Sequence, residues 1–242
     1  LCLVNQLLDL QYNLYLVVRN IEKAQKLFNN KVKIFKADLE NPDELLEILN
    51  EINIEPKFDG LVYSAGIEGT FPLKSTSYKK LIQYYNINTI SFHMALNFFS
   101  KKQNSNNFSS IVVVSSIMSA LGAAGKSAYC GSKSSVNGLV RAAALELSSR
   151  KIRINSISPG LTLTEMGNSL LERMTLDDQS KLLKDYPLGF GKSEYVADLI
   201  MFLLSKKSKW ITGQNLIIDG GFSINKMTLG IIGTGGFARE VL

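Results

Sequence analysis

Tyr129 and Lys133 stand four residues apart, and Ser116 precedes the tyrosine by thirteen. On a helix, such a pair shares one face about one turn apart. An ammonium held there is expected to draw the phenol down from its unperturbed pKa of about 10. A serine delivered by a neighbouring strand is expected to hold a carbonyl oxygen within reach of that phenol. Such a group of residues protonates a carbonyl oxygen while hydride reaches its carbon, or runs the same step backwards.

A tyrosine and lysine at this spacing arise by chance about once in a chain with nine tyrosines. The order of the other motifs is what gives the pair weight. Asn88 falls in a long helical stretch, Ser116 ends the strand that follows, and Tyr129 and Lys133 open the next helix. Ser158-Pro159-Gly160 and Asp219-Gly220-Gly221 close later strands. In an open α/β sheet, ligands bind outside the carboxyl ends of the strands, and all these residues fall at that edge.

Helical and strand patterns alternate along the chain, which predicts a Rossmann-like, doubly wound parallel sheet with helices on both faces. Strands are expected at residues 13–18, 32–35, 58–63, 111–114, 152–157 and 214–218. The run Ile111-Val112-Val113-Val114 is entirely β-branched and reads as a central strand. Helices are expected at 1–10, 20–29, 41–52, 127–149 and 192–205, with one long helical region over 76–103. Asn41-Pro42-Asp43-Glu44 has the N-cap, first-turn proline and acids of a helix start. Residues 161–190, punctuated by Gly167, Pro187, Gly189 and Gly191, read as a lid.

A chain of 242 residues with 45% hydrophobic and 20% charged content suits one large α/β domain. No apolar run reaches the ~20 residues of a membrane span, and no signal peptide is recognisable. A cytoplasmic setting is expected, and two cysteines make no disulfide framework. The net charge of +6 is spread along the chain rather than gathered with aromatics, so nucleic acid is not the expected partner. His93 lies in an apolar helical stretch and reads as structural, as do Phe98 and Phe99. Cys130 points about 100° away from Tyr129. No metal is expected.

The chain resembles the short-chain dehydrogenase/reductase family over residues 1–223, in its single-domain branch and most of all the 3-oxoacyl-carrier-protein reductase type. The resemblance implies a catalytic tetrad of Asn88, Ser116, Tyr129 and Lys133. Tyr129 would be the general acid in reduction, Ser116 would orient the carbonyl, Lys133 would lie near the nicotinamide ribose, and Asn88 would hold a relay water. Ser115 and Asn86 are the neighbouring rivals, disfavoured by spacing and by the Asn-x-x-Ser pattern. The resemblance also implies cofactor contacts at Asp38, Leu39, Ser64, Ala65, Gly66, Pro159, Gly160, Thr162 and Thr164, besides Tyr129 and Lys133. Ser64 departs from the family's Asn at that place. Arg19 follows the second strand of the family pattern, where an arginine suits a 2′-phosphate. NADP(H) is therefore expected ahead of NAD(H), with a small carbonyl or alcohol substrate and a homo-oligomer, either tetramer or dimer.

The family's first strand and glycine-rich turn have no counterpart ahead of Leu1, which already falls in the following helix. A domain is expected over 1–225, lacking that strand and holding its cofactor weakly. Residues 226–242 are expected to be a tail. Leu229 to Ala238 reads as a strand and glycine-rich turn resembling the opening of bacterial sugar acyltransferases. That likeness hints at surface-sugar or acyl-chain metabolism. A reductase fused to such an acyltransferase, or a non-catalytic nucleotide-binding domain, are the alternative readings. Circular permutation is disfavoured because five or six residues reach at most about 22 Å.

Overall fold

The computed structural model describes residues 1–52 and 55–224. The 226–242 tail, with its expected second-domain start, lies outside the described residues.

Helix α1 (Cys2–Asp9) leads into strand β1 (Tyr15–Val18), helix α2 (Ile21–Phe28) and strand β2 (Lys33–Lys36). Then come α3 (Pro42–Glu51), β3 (Phe58–Tyr63), α4 (Tyr78–Tyr85), α5 (Ser91–Ser100) and β4 (Ser105–Val114). The chain continues through α6 (Ser127–Glu146), β5 (Arg153–Pro159), α7 (Glu165–Leu171), α8 (Leu176–Lys184), α9 (Ser193–Leu204) and β6 (Asn215–Ile218). All pairings are parallel: β1 with β2, and β3-β4-β5-β6 in that order. Among the described residues no strand is hydrogen-bonded between β1 and β3, so the sheet is in two parts.

Side chains bridge the two parts. The ring of Tyr15 on β1 meets Phe58 on β3 edge-on, with centroids 5.1 Å apart. Tyr15, Val17 and Phe35 pack against the main core, which also holds Leu45 and Leu49 of α3, Phe92 and Phe99 of α5, and Val136 and Val140 of α6. Alternation along β4 explains the double winding. Ile111 and Val113 face this core, whereas Val112 faces a second one with Ile157, Ile200 and Leu203. Burial of each such side chain stabilises by roughly 1.5–3 kcal/mol, so β4 is covered on both sides and sits centrally.

Two local expectations need correcting, and a third holds by position. Strand β4 begins six residues earlier than its β-branched run, at Ser105. Its serines are buried, yet satisfied: Ser105 Oγ donates to Phe99 O at 2.6 Å and Ser110 Oγ to Leu203 O at 2.8 Å. The long helical region is not one regular helix. A π-helical segment, Asn86–Ile90, joins α4 to α5, and such segments often mark functional sites. Asn41 is the N-cap of α3 by position, but its side chain makes no capping hydrogen bond; its amide instead reaches Glu44 Oε1 at 3.5 Å.

Candidate active site

Because all strands are parallel, the turns after β3, β4, β5 and β6 open on one edge. The first carries Ser64-Ala65-Gly66, the second Ser115-Ser116, the third Gly160, and the fourth Asp219. Helix α6 brings Tyr129 and Lys133 to that edge within its first two turns.

The tyrosine phenol and Ser116 are neighbours, close enough for the serine to favour the phenolate. Ser116 Oγ also accepts from Met118 N at 3.2 Å, which fixes the hydroxyl at the end of β4. Ser115, its sequence rival, is occupied elsewhere: its hydroxyl donates to the backbone carbonyl of Lys133 at 3.2 Å. Asn86 is likewise turned away, donating to Glu40 O at 2.7 Å. Asn88 is fully buried in the π-helical segment. Its Oδ1 accepts from Ile67 N at 2.9 Å, and its Nδ2 donates to Ile67 O at 3.1 Å and to Ser132 Oγ at 2.9 Å. Ser132 in turn donates to the carbonyl of Tyr129 at 2.9 Å. The asparagine therefore ties the turn after β3 to the first turn of α6.

Lys133 is buried and donates from Nζ to Val114 O at 2.9 Å. Burial lowers its pKa to about 8. The expected downward pull on Tyr129 is not what the structure shows. Burial pushes the phenol up, Ser116 opposes that by hydrogen bonding, and the Glu68 carboxylate pushes it up further. Desolvation disfavours the charged form of both groups, and Lys133 directs its ammonium at a backbone carbonyl. The acid is thus fully protonated at neutral pH, the form that reduction needs.

A cleft of about 420 Å³ runs along this edge, lined by Arg19, Gly66, Ile67, Glu68, Glu165, Met166, Ser169, Leu170 and Arg173. A Cβ on Gly66 would lie 3.0 Å from Lys133 Nζ and 3.2 Å from Asn88 Oδ1, so a side chain there would crowd both groups. Gly160 is similarly hemmed in: a Cβ would lie 3.0 Å from Asp219 and from the Tyr186 ring. Thr164 caps α7, accepting from Gly167 N at 3.2 Å, and Thr162 Oγ1 donates to Gly160 O at 3.3 Å. Asp38 accepts from Glu40 N at 3.0 Å, Leu39 and Ala65 both pack on the main core, and Ser64 is exposed. Pro159 ends β5 opposite Ile218. Asp219 is spent on its own turn, accepting from Gly221 N at 3.0 Å and Ser223 N at 2.7 Å.

Residues 6–223 match the family described as enoyl-(acyl carrier protein) reductase. A 3-oxoacyl-[acyl-carrier-protein] reductase of Thermotoga maritima is 32% identical over 200 residues, covering 80% of this chain and 78% of that protein. The chain belongs to the short-chain dehydrogenase/reductase family of oxidoreductases. A solved short-chain dehydrogenase family protein of Francisella tularensis superposes with a TM-score of 0.84 at 25% identity, over 92% of this chain and 93% of the other. A 7α-hydroxysteroid dehydrogenase, solved with NADH and 7-oxo glycochenodeoxycholic acid, gives 0.77 at 25% identity over 86% and 84%. The α/β architecture of parallel strands and flanking helices is that of the family.

Sequence reasoning missed Glu68, Lys126, Ser132 and Arg173. Ser132 and Lys126 left a signal, each lying three residues from Tyr129 along α6 and its start.

Proposed function

We propose that this reductase interconverts a ketone and a secondary alcohol with NADP(H), Tyr129 serving as the general acid. The observation that carries the reading is the Tyr129 phenol beside Ser116, with Lys133 one turn along α6 and Asn88 buried behind it. Ser116 orients the carbonyl oxygen toward the phenol, and Tyr129 gives that oxygen its proton. A positioned acid contributes roughly 10²–10⁴-fold. Lys133 lies behind the open floor at Gly66, where it replaces the proton through water held near Asn88.

The cleft and its glycine floor fit a dinucleotide. Arg19 would hold a 2′-phosphate, Asp38 and Leu39 the adenine, and Ser64, Ala65 and Gly66 the ribose side. Pro159, Gly160, Thr162 and Thr164 would border the nicotinamide. When bound, the nicotinamide supplies or takes up the hydride. The 7α-hydroxysteroid dehydrogenase neighbour was solved with NADH, so Arg19 alone carries the preference for the phosphorylated cofactor. The Thermotoga relative makes 3-oxoacyl thioesters the first substrate class to test. We place the protein in the cytoplasm, as a homo-oligomer with no nucleic-acid or membrane partner; among the described residues no helix is long and apolar enough to span a membrane.

The test is NADPH oxidation, followed at its absorbance maximum, across 3-oxoacyl thioesters, keto-sugars and simple ketones. Turnover of at least one class is expected. NADPH binding with no turnover of any class would favour the non-catalytic alternative.

A further inference from the structure

Among the described residues, one ion pair is set apart by its depth. Lys126 Nζ donates to Glu68 Oε1 at 2.9 Å and to Oε2 at 3.3 Å, and the two side chains are only 14% and 12% exposed. Two other pairs, Lys23–Glu165 and Lys181–Asp177, are at least 64% exposed at each partner. Exposed pairs contribute little. A nearly buried pair costs the desolvation of both ions, and losing one partner strands the other charge. Packing alone does not explain why such a pair stands here.

Its surroundings do. Lys126 is the N-cap residue of α6, three positions before Tyr129, and its Nζ lies 5.9 Å from the Tyr129 ring centroid. Glu68 follows Ile67, whose backbone Asn88 holds at both N and O. Three residues further on, Phe71 N donates to Gly125 O at 2.7 Å. Glu68 is thus fixed between two anchored points against the start of α6.

The groups around the phenol are few. Ser116 approaches from the end of β4, Tyr84 from α4, Glu68 from the turn after β3, and Cys130 from α6 itself. Lys133 is turned to Val114 O, and Tyr85 of α4 approaches α6 at Gly131. Glu68 is the carboxylate in this set, and Lys126 is its counterion.

We propose that Glu68 and Lys126 form a positioning pair for Tyr129: they lock the turn after β3 to the start of α6, and the balance of their charges sets the pH at which Tyr129 exchanges its proton. The proposal rests on Tyr129 being the acid of the reaction. Removing Lys126 leaves the carboxylate unbalanced and holds the phenol protonated to higher pH. Removing the charge of Glu68 leaves the ammonium unbalanced and favours the phenolate.

The experiment compares wild type, Lys126→Gln, Glu68→Gln, the double variant and Lys126→Arg. Two readouts are taken. One is the pH profile of kcat/KM for alcohol oxidation with NADP+. The other is the phenolate absorbance of Tyr129, taken as the difference between each protein and its Tyr129→Phe counterpart, which needs no turnover. The midpoint is expected to rise by about one pH unit in Lys126→Gln and fall by about one in Glu68→Gln. It should return toward wild type in the double variant and stay there in Lys126→Arg. If Lys126→Gln does not fold, Glu68→Gln and the double variant, which strands no charge, carry the comparison. Lower kcat or Tm with fixed midpoints in both readouts would overturn the proposal. A midpoint that moves in absorbance, in a protein that turns over no ketone, would support the pair and count against the reductase reading instead.

Discussion

Asn88 grips Ile67 through both of its backbone groups, accepting from N at 2.9 Å and donating to O at 3.1 Å. A buried asparagine that mimics a strand partner in this way fixes the turn after β3, and with it Gly66 and Glu68. Truncation to Asn88→Ala orphans two backbone groups and removes the donor to the Ser132 hydroxyl, which keeps its bond to Tyr129 O. The expected loss is about 2–4 kcal/mol, a fall in Tm of roughly 5–15 °C for a chain of this size. Hydrogen exchange at the Ile67 amide should accelerate more than at the neighbouring β3 amides. Unchanged protection there would show that the clamp does not hold the turn.

Lys133 gives a pH signature. Its folded pKa is lowered to about 8 from 10.5 by burial. Between those two values the unfolded chain holds more protons, so stability rises with pH across that window. Below it the folded protein carries the full cost of a buried charge. Lys133→Met is therefore expected to be the more stable protein at pH 7, by about 1–3 kcal/mol after the lost bond to Val114 O is counted. The gap should close as pH rises from about 8 toward 10.5. Denaturant melts at pH 7 and pH 10 check this, and a wild type more stable than the variant at pH 7 contradicts it.

The two adjacent serines should separate cleanly. Ser116→Ala removes the hydroxyl beside the phenol and is expected to lower kcat by about 10²-fold, with about 1 kcal/mol of stability lost at Met118 N. Ser115→Ala removes a bond to the backbone of α6 and is expected to cost about 1 kcal/mol of stability, with a much smaller loss of turnover. Steady-state kinetics and thermal melts on the pair decide which serine faces the carbonyl. Equal losses of turnover would refute the assignment.

Much of this arrangement was legible in the sequence because its signals are local. The spacing of Tyr129 and Lys133 requires only a helix, and a β-branched run such as Ile111 to Val114 requires only a strand buried on both faces. The strand-end glycines then follow from parallel pairing. What escaped depends on contacts distant in sequence. The polar start of β4 is a strand because its serines find carbonyls on α5 and α9, which no local pattern announces. The π-helical segment at Asn86–Ile90 has no compositional mark. Glu68 and Lys126 are 58 residues apart. The direction of the Tyr129 shift escapes the local pattern because burial, a property of the packed whole, pushes the phenol up while the lysine one turn away turns its ammonium to Val114 O.

Arg19 is exposed at the end of β1 and lines the cleft with Gly66. Loss of a charge-assisted contact is worth roughly 1.5–3 kcal/mol, or about 10–100-fold in affinity. Arg19→Gln should weaken NADPH binding by that factor and leave NADH binding nearly unchanged. Nucleotide fluorescence titrations measure both. Equal effects on the two cofactors would remove the basis for preferring NADPH.

The reductase reading stands on Tyr129 as the acid of a carbonyl reduction. Its most direct test is NADPH-dependent turnover of a ketone substrate by Tyr129→Phe, with NADPH binding measured in parallel. In this variant kcat is expected to fall by about 10²–10⁴-fold while NADPH affinity stays within about threefold of wild type. Turnover equal to wild type, with the cofactor bound, would contradict it.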